Sequence, residues 1–165
     1  KRFIQIISQS GKVTNILQQC KKRKENRHGR EHDSHYPGNW PGKTVASAQG
    51  RYEAHGQSYE LVDLPGTYSI TAYTMEEQVS RQFILSDEVD VIIDVVDASA
   101  LERNLYLTLQ LLELGKPVVV ALNMMDIVEK RGMEIDLHRL PEMLGVPVIP
   151  VSARKRTGLE VLMHA

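Results

Sequence analysis

Three short runs of this sequence set acceptor side chains beside small residues at spacings that suit a phosphorylated purine and its metal ion. Asp63-Leu64-Pro65-Gly66 pairs a carboxylate with a glycine three residues on. Such a carboxylate can hold Mg²⁺, directly or through water, and the glycine leaves its N–H free to approach a terminal phosphate. Asn123-Met124-Met125-Asp126 offers a second carboxylate. Its two oxygens can accept the N1–H and the 2-amino group of guanine, a donor pair that adenine does not present. Asn123 would tie neighbouring loops together beneath the base. Ser152-Ala153-Arg154 is the third run. Each is weak by itself. A D-x-x-G often marks only a strand and a tight turn, and an isolated N-x-x-D is more often a loop with an Asp helix cap.

Their address in the chain makes them stronger together. Tyr59 to Asp63 reads as a short strand, and Asp90 to Asp97 as a buried strand rich in β-branched residues. Leu101 to Leu114 has the leucines of a helix, stopped by Gly115 and Pro117. Pro117 to Leu122 and Val146 to Val151 are further apolar strands, and a final helix begins in Gly158 to His164. Asp136 to Leu144 predicts a short helix, provided Pro141 falls in its first turn. Strands apolar on both faces and alternating with helices imply a mostly parallel sheet with helices on both faces. Ligands bind such sheets beyond the carboxyl ends of the strands. All three motifs follow a predicted strand, with 60 residues from Asp63 to Asn123 and 29 from Asn123 to Ser152. Together they predict an α/β fold of the Ras-like P-loop G-domain class. In GTPases a Ser-Ala pair in the last of these loops gives backbone contacts to the guanine oxygen.

Composition sets the outer bounds. The 165 residues are enough for one compact domain with a real core, and 42% hydrophobic with 25% charged residues is ordinary for a globular protein. The longest apolar run, Val118 to Leu122, is far short of the ~20 residues a membrane helix needs. Cys20 has no cysteine to pair with in this sequence, which fits a reducing compartment. No secretory-type leader opens the chain, which starts at Lys1 and is read as a fragment. The net charge of −1 conceals a split. Residues 1–35 hold nine Lys/Arg against three acids, a net +6, which leaves −7 on the rest. Gln18 to His35 has no apolar periodicity and predicts poor order. A disordered or misplaced leader is a simpler reading of that basic stretch than an arm for nucleic acid or acidic lipid.

The resemblance is closer than a fold class. Gly38-Asn-Trp-Pro-Gly-Lys-Thr-Val45 resembles switch I of the FeoB ferrous-iron transporters, and Leu61 to Ser69 resembles the start of their switch II. Asp97 to Glu113 is similar to that family's most recognisable stretch, and the similarity continues through Asp126 to about residue 162. The resemblance implies a cytoplasmic GTPase domain that binds GTP/GDP and Mg²⁺. It would lie on the cytoplasmic face of a bacterial or archaeal inner membrane, itself soluble, within a longer membrane protein. Its partners would be the transporter's own helical spacer and transmembrane region, with homo-oligomers possible and no nucleic acid. By position, Thr44 matches the switch I threonine that reaches Mg²⁺ and the γ-phosphate. Asp63 and Gly66 match switch II, with Asp63 at the metal and Thr44 and Gly66 at the reacting phosphate. Asn123, Met124 and Asp126 match the base loop, and Ser152 and Ala153 the last loop.

The phosphate end departs from the pattern. A G-x-x-x-x-G-K-[ST] loop cradles phosphates with backbone N–H groups and a lysine. The nearest match is Ile6 to Val13, in which Gly11 and Lys12 are in place. Ile6 stands for the first glycine and Val13 for the metal-binding hydroxyl, although Thr14 adjoins it. Ile7-Ser8-Gln9 replaces the family's Asn-Pro-Asn, whose first asparagine helps bind an activating K⁺, and this leaves K⁺ activation doubtful. Residues 1–36 are therefore read as an atypical basic segment where strand 1, P-loop and helix 1 belong, either mis-joined or diverged, and 37–165 as the G domain. The expected role is a GTP-binding regulatory domain with slow hydrolysis coupled to Fe²⁺ uptake. Slow, because Thr67-Tyr68 follows Gly66 where Ras-type enzymes place a water-orienting glutamine. The alternative is a catalytically impaired G-like module, with a defective phosphate loop, that only contacts partner domains. A GTPase acting on RNA draws some encouragement from the basic stretch, whereas a dinucleotide enzyme finds no G-x-G-x-x-G. His28, His32 and His35 with Glu31 and Asp33 read as a solvated run rather than a metal site.

Overall fold

The computed structural model describes residues 2–8, 48–54, 57–64 and 81–165. Strands are β1 (Arg2–Ser8), β2 (Ala48–Ala54), β3 (Gln57–Leu64), β4 (Val89–Asp97), β5 (Val118–Asn123) and β6 (Val148–Pro150). Described helices are α1 (Leu101–Glu113), α2 (Met125–Lys130), α3 (Arg139–Leu144) and α4 (Leu159–Leu162), with a further helical stretch over 81–85. The strands form one sheet in the order β2-β3-β1-β4-β5-β6. β1, β3, β4, β5 and β6 run parallel, and β2 is an antiparallel edge strand on β3.

Alternation along each strand splits the core in two, because successive side chains leave opposite faces of a sheet. Ile7, Val62, Ile92, Val96, Val118, Val120 and Leu122 face one way, where Phe83, Leu107, Leu111 and Val128 cover them. Ile4, Ile6, Leu61, Ile93, Val95, Val119 and Ala121 face the other way, with Val151 and Leu162. This is why the central strands read as unbroken apolar runs.

The element ends follow local chemistry. Asp97 caps a 3-10 turn at Ala98–Ala100, its Oδ1 accepting the Ser99 N–H at 2.9 Å, before α1 begins. Gly115, at φ +71°, donates to the Leu112 carbonyl at 3.2 Å and closes α1. Asp136 Oδ1 accepts the N–H groups of His138 and Arg139, so the helix expected from Asp136 becomes regular only at Arg139. Pro141 is then its third residue, within the first turn, where no N–H is required. Pro117 and Pro147 lie just outside their strands, yet their carbonyls accept from Ile92 and Val120 at 2.9 Å each.

One expectation needs correcting. The opening residues do not all form a leader apart from the fold, since Arg2–Ser8 is a central strand between β3 and β4. Its core residues Ile4, Ile6 and Ile7 are buried. The charge count over the whole segment concealed a seven-residue apolar-polar strand at its start. The run Gln18 to His35, with its histidines, lies outside the described residues.

Candidate functional site

Parallel strands share an end, so the tips of β3, β1, β4, β5 and β6 line one edge of the sheet. Asn123 is the last residue of β5, aligned with Asp97 at the end of β4. The chain then turns sharply at Met124, held at φ +68°. In that left-handed conformation its carbonyl accepts from Ile127 at 2.8 Å and from Val128 at 3.2 Å, which starts α2 at once. Asp126 is thereby carried in the first turn of α2, back over the strand tips.

The segment after β6 meets this turn. Asn123 Oδ1 accepts the Ala153 N–H at 3.2 Å. Ser152 Oγ donates to Asp126 Oδ1 at 3.0 Å. Asn123, Asp126 and Ser152 are all buried despite being polar, and each has a partner, as burial requires. Ser152 and Thr157 exchange two backbone hydrogen bonds at 3.1 and 3.2 Å, which fold residues 152–157 into a closed loop. Lys155 fastens that loop to α2, its Nζ 3.0 Å from Glu129 Oε2. Gly158 closes it at φ +79°, where a Cβ would stand 2.2 Å from the Pro150 carbonyl oxygen. Four of the residues singled out from sequence, Asn123, Asp126, Ser152 and Ala153, thus form one hydrogen-bonded unit. Met124 belongs to it as the backbone turn rather than as a side-chain contact.

At the other end of the edge, Asp63 is the penultimate residue of β3, with Cα partners Ile6 on β1 and Ala48 on β2. Three inter-strand spacings separate the β3 tip from the β5 tip, ~14 Å in all. That is the length scale of a nucleoside polyphosphate laid along the sheet edge. Ile6 is buried within β1 at 1% exposure, so it is a strand residue and not the opening of a turn. Gly11, Lys12, Thr44 and Gly66 lie outside the described residues. No group of three or more His, Cys, Asp or Glu side chains converges on a metal-sized space among the described residues. No described helix is long and apolar enough to cross a membrane.

Sequence reasoning missed three contributors to the base-end unit: Thr157, Gly158 and the Lys155–Glu129 tie. Only Gly158 left a legible signal, a glycine just ahead of a helix.

The profile of the family described as ferrous iron transport protein B matches residues 31–165. The Fe(2+) transporter FeoB of Escherichia coli K12 is 50% identical over 132 residues, which is 78% of this chain and 17% of the transporter. The chain therefore spans about one sixth of that relative. Among solved structures, the FeoB G-domain of Methanococcus jannaschii superposes with a TM-score of 0.80 at 35% identity, covering 99% of this chain and 93% of that one. A mutant of S. thermophilus NFeoB bound to GDP gives a TM-score of 0.82 at 38% identity, covering 99% of this chain and 61% of that one. On the profile, the identity and the superposed fold, the chain belongs to the ferrous iron transport protein B family and has its Ras-like P-loop G-domain fold.

Proposed function

We propose that this chain is the guanine-nucleotide-binding domain of a ferrous-iron transport protein, in which GTP binding and slow hydrolysis regulate Fe²⁺ uptake. The observation that carries the reading is the base-end unit, in which a buried carboxylate is fixed by Ser152 and the loop below it by Asn123. A carboxylate with one oxygen fixed by Ser152 suits the two donors of guanine and rejects adenine. The GDP held by the S. thermophilus relative supports the same ligand class.

At the phosphate end, Asp63 and the Thr44 hydroxyl would hold Mg²⁺, and Gly66, Gly11 and Lys12 would meet the phosphates. Asp63 fits that part, because its backbone sits at the tip of β3 beside β1. Bound there, Mg²⁺ would offset the charge that develops on the β- and γ-phosphates. The domain would act at the cytoplasmic face of the membrane, signalling to the helical and transmembrane parts of the same transporter. Hydrolysis would be slow for want of a water-orienting side chain after Gly66.

The test exchanges one acceptor for a donor. Asp126→Asn keeps the shape but puts an amide NH₂ where guanine also has a donor, whereas the 2-carbonyl of xanthine accepts from it. Wild type is expected to bind a fluorescent GDP analogue saturably with Mg²⁺ present. The variant should lose GDP by about a hundredfold, ~3 kcal/mol, and gain the xanthine diphosphate. No saturable binding by wild type would leave an impaired module that only touches partner domains.

A further inference from the structure

Asp126 has a hydrogen-bond partner on one oxygen and a cation within ion-pair range of the other. Ser152 Oγ donates to Oδ1 at 3.0 Å, and Arg154 Nη1 stands 4.0 Å from Oδ2. The two ends of the Arg154–Asp126 pair differ sharply, for the carboxylate side chain is 4% exposed and that of Arg154 is 74% exposed. One partner is fixed in the floor of the site, and the other reaches over it from solvent.

The chemistry of the pair points the same way. The guanine edge that a carboxylate reads is N1–H beside C2–NH₂, two N–H donors flanking one carbon. A guanidinium carries the same donor arrangement with a positive charge added, and its planar fork matches a carboxylate. We propose that Arg154 is a built-in competitor for the guanine site, its guanidinium stationed within ion-pair reach of the Asp126 oxygen that the base needs. This rests on the base-site reading above and adds a determinant of how fast and how tightly nucleotide is taken up.

The loop geometry says what has to move. The backbone of residues 152–157 is held by Asn123 and by the two Ser152–Thr157 bonds. Only the Arg154 side chain has to swing away, a rotamer change on the picosecond-to-nanosecond scale for an exposed residue. Release is then fast relative to encounter, so competition lowers the association rate and the affinity by one common factor. Dissociation is unaffected, because the competitor is already displaced in the complex. With its cation in solvent and 4.0 Å from the carboxylate, the pair sets that factor at about two- to fivefold, as for a surface ion pair, and salt screening should erase it.

The experiment is stopped-flow association of a fluorescent GDP analogue with wild type, Arg154→Met and Arg156→Met. The methionine at 154 keeps an apolar stem without the charge. Arg156→Met removes the same charge two residues away and controls for long-range attraction of an anionic nucleotide. Relative to the control, Arg154→Met should associate about two- to fivefold faster at low salt, converge with it at high salt, and dissociate at the wild-type rate. In the nucleotide-free protein, Asp126→Asn should shift the Arg154 Nη–H resonances, since Nη1 is the atom that faces Oδ2. Equal or slower association than the control, or an unmoved resonance, overturns the competition while leaving the base site standing. Absence of saturable binding by all three proteins instead brings down the base-site reading, and the competitor with it.

Discussion

Asn123 shows how one side chain can serve a site without facing its ligand. It ends β5, is buried, and spends its amide oxygen on the Ala153 N–H of a loop 30 residues further on. That bond sets the height of the Ser152–Ala153 backbone beside Asp126, whose own oxygen is held by Ser152. Asn123→Ala removes the tie without adding bulk. A hydrogen bond of this kind contributes ~1 kcal/mol net to stability, so the urea midpoint should fall modestly at an unchanged m-value. Guanine-nucleotide affinity should fall further, by at least about tenfold, or ~1.4 kcal/mol, because the loop loses its seat as well as a contact. An affinity loss no larger than the stability loss would make Asn123 a structural residue only.

At the scale of elements, the sheet edge is made by short connections whose geometry one residue often decides. Gly158 is the sharpest case. It sits at positive φ, and a Cβ would press against the backbone of Pro150 and Val151, which cannot swing aside. Gly158→Ala should therefore cost on the order of 2–3 kcal/mol from strain and displacement together, read as a lower melting temperature. It should also loosen residues 152–157, seen as faster amide exchange at Thr157 than at Val120 in the sheet centre. Retained protection at Thr157 would show that the loop closes without the glycine. The same scale explains what could be read in advance. β4, α1 and β5 were legible to within a residue or two, because their apolar runs are long and bounded by Gly115 and Pro117. The Asn123–Asp126 and Ser152–Ala153 motifs were legible through their position after strands. β1 was not, because Arg2–Ser8 is short, carries Gln5 in its middle and adjoins a strongly basic run. β2 was missed for a related reason. An antiparallel edge strand of sequence AQGRYEA has few apolar residues to announce it, and only its pairing with β3 makes it a strand.

For the molecule as a whole, the sheet hides a charge that should make its stability depend on pH. Asp94 lies in the middle of β4, aligned with Ile7 on β1 and Val120 on β5, with no exposed surface. Burial pushes its carboxyl up to about 7, although the Thr108 hydroxyl, donating to Oδ2 at 2.6 Å, pulls the other way. Among the described residues its Oδ1 has no partner, nor has Oε1 of Gln5, which stands on the same sheet face one strand away. The folded chain thus keeps a proton that the unfolded chain, with a carboxyl near 3.8, releases. Stability from this group is greatest below pH 4, falls as pH rises from about 4 to about 7, and is level above that. The ceiling on the loss is ~4 kcal/mol, from about 1.36 kcal/mol for each pH unit that separates the folded carboxyl from the unfolded one. Asp94→Asn mimics the protonated acid and places a donor where the acid carries its proton. Urea unfolding at a series of pH values should give a wild-type curve that drops towards neutrality and a variant curve without that component. Taking the difference between the two cancels the titrations they share, and the variant should be the more stable above pH 7. Parallel curves would mean that water reaches Asp94 in the folded sheet and that the two helix-covered faces do not seal its centre.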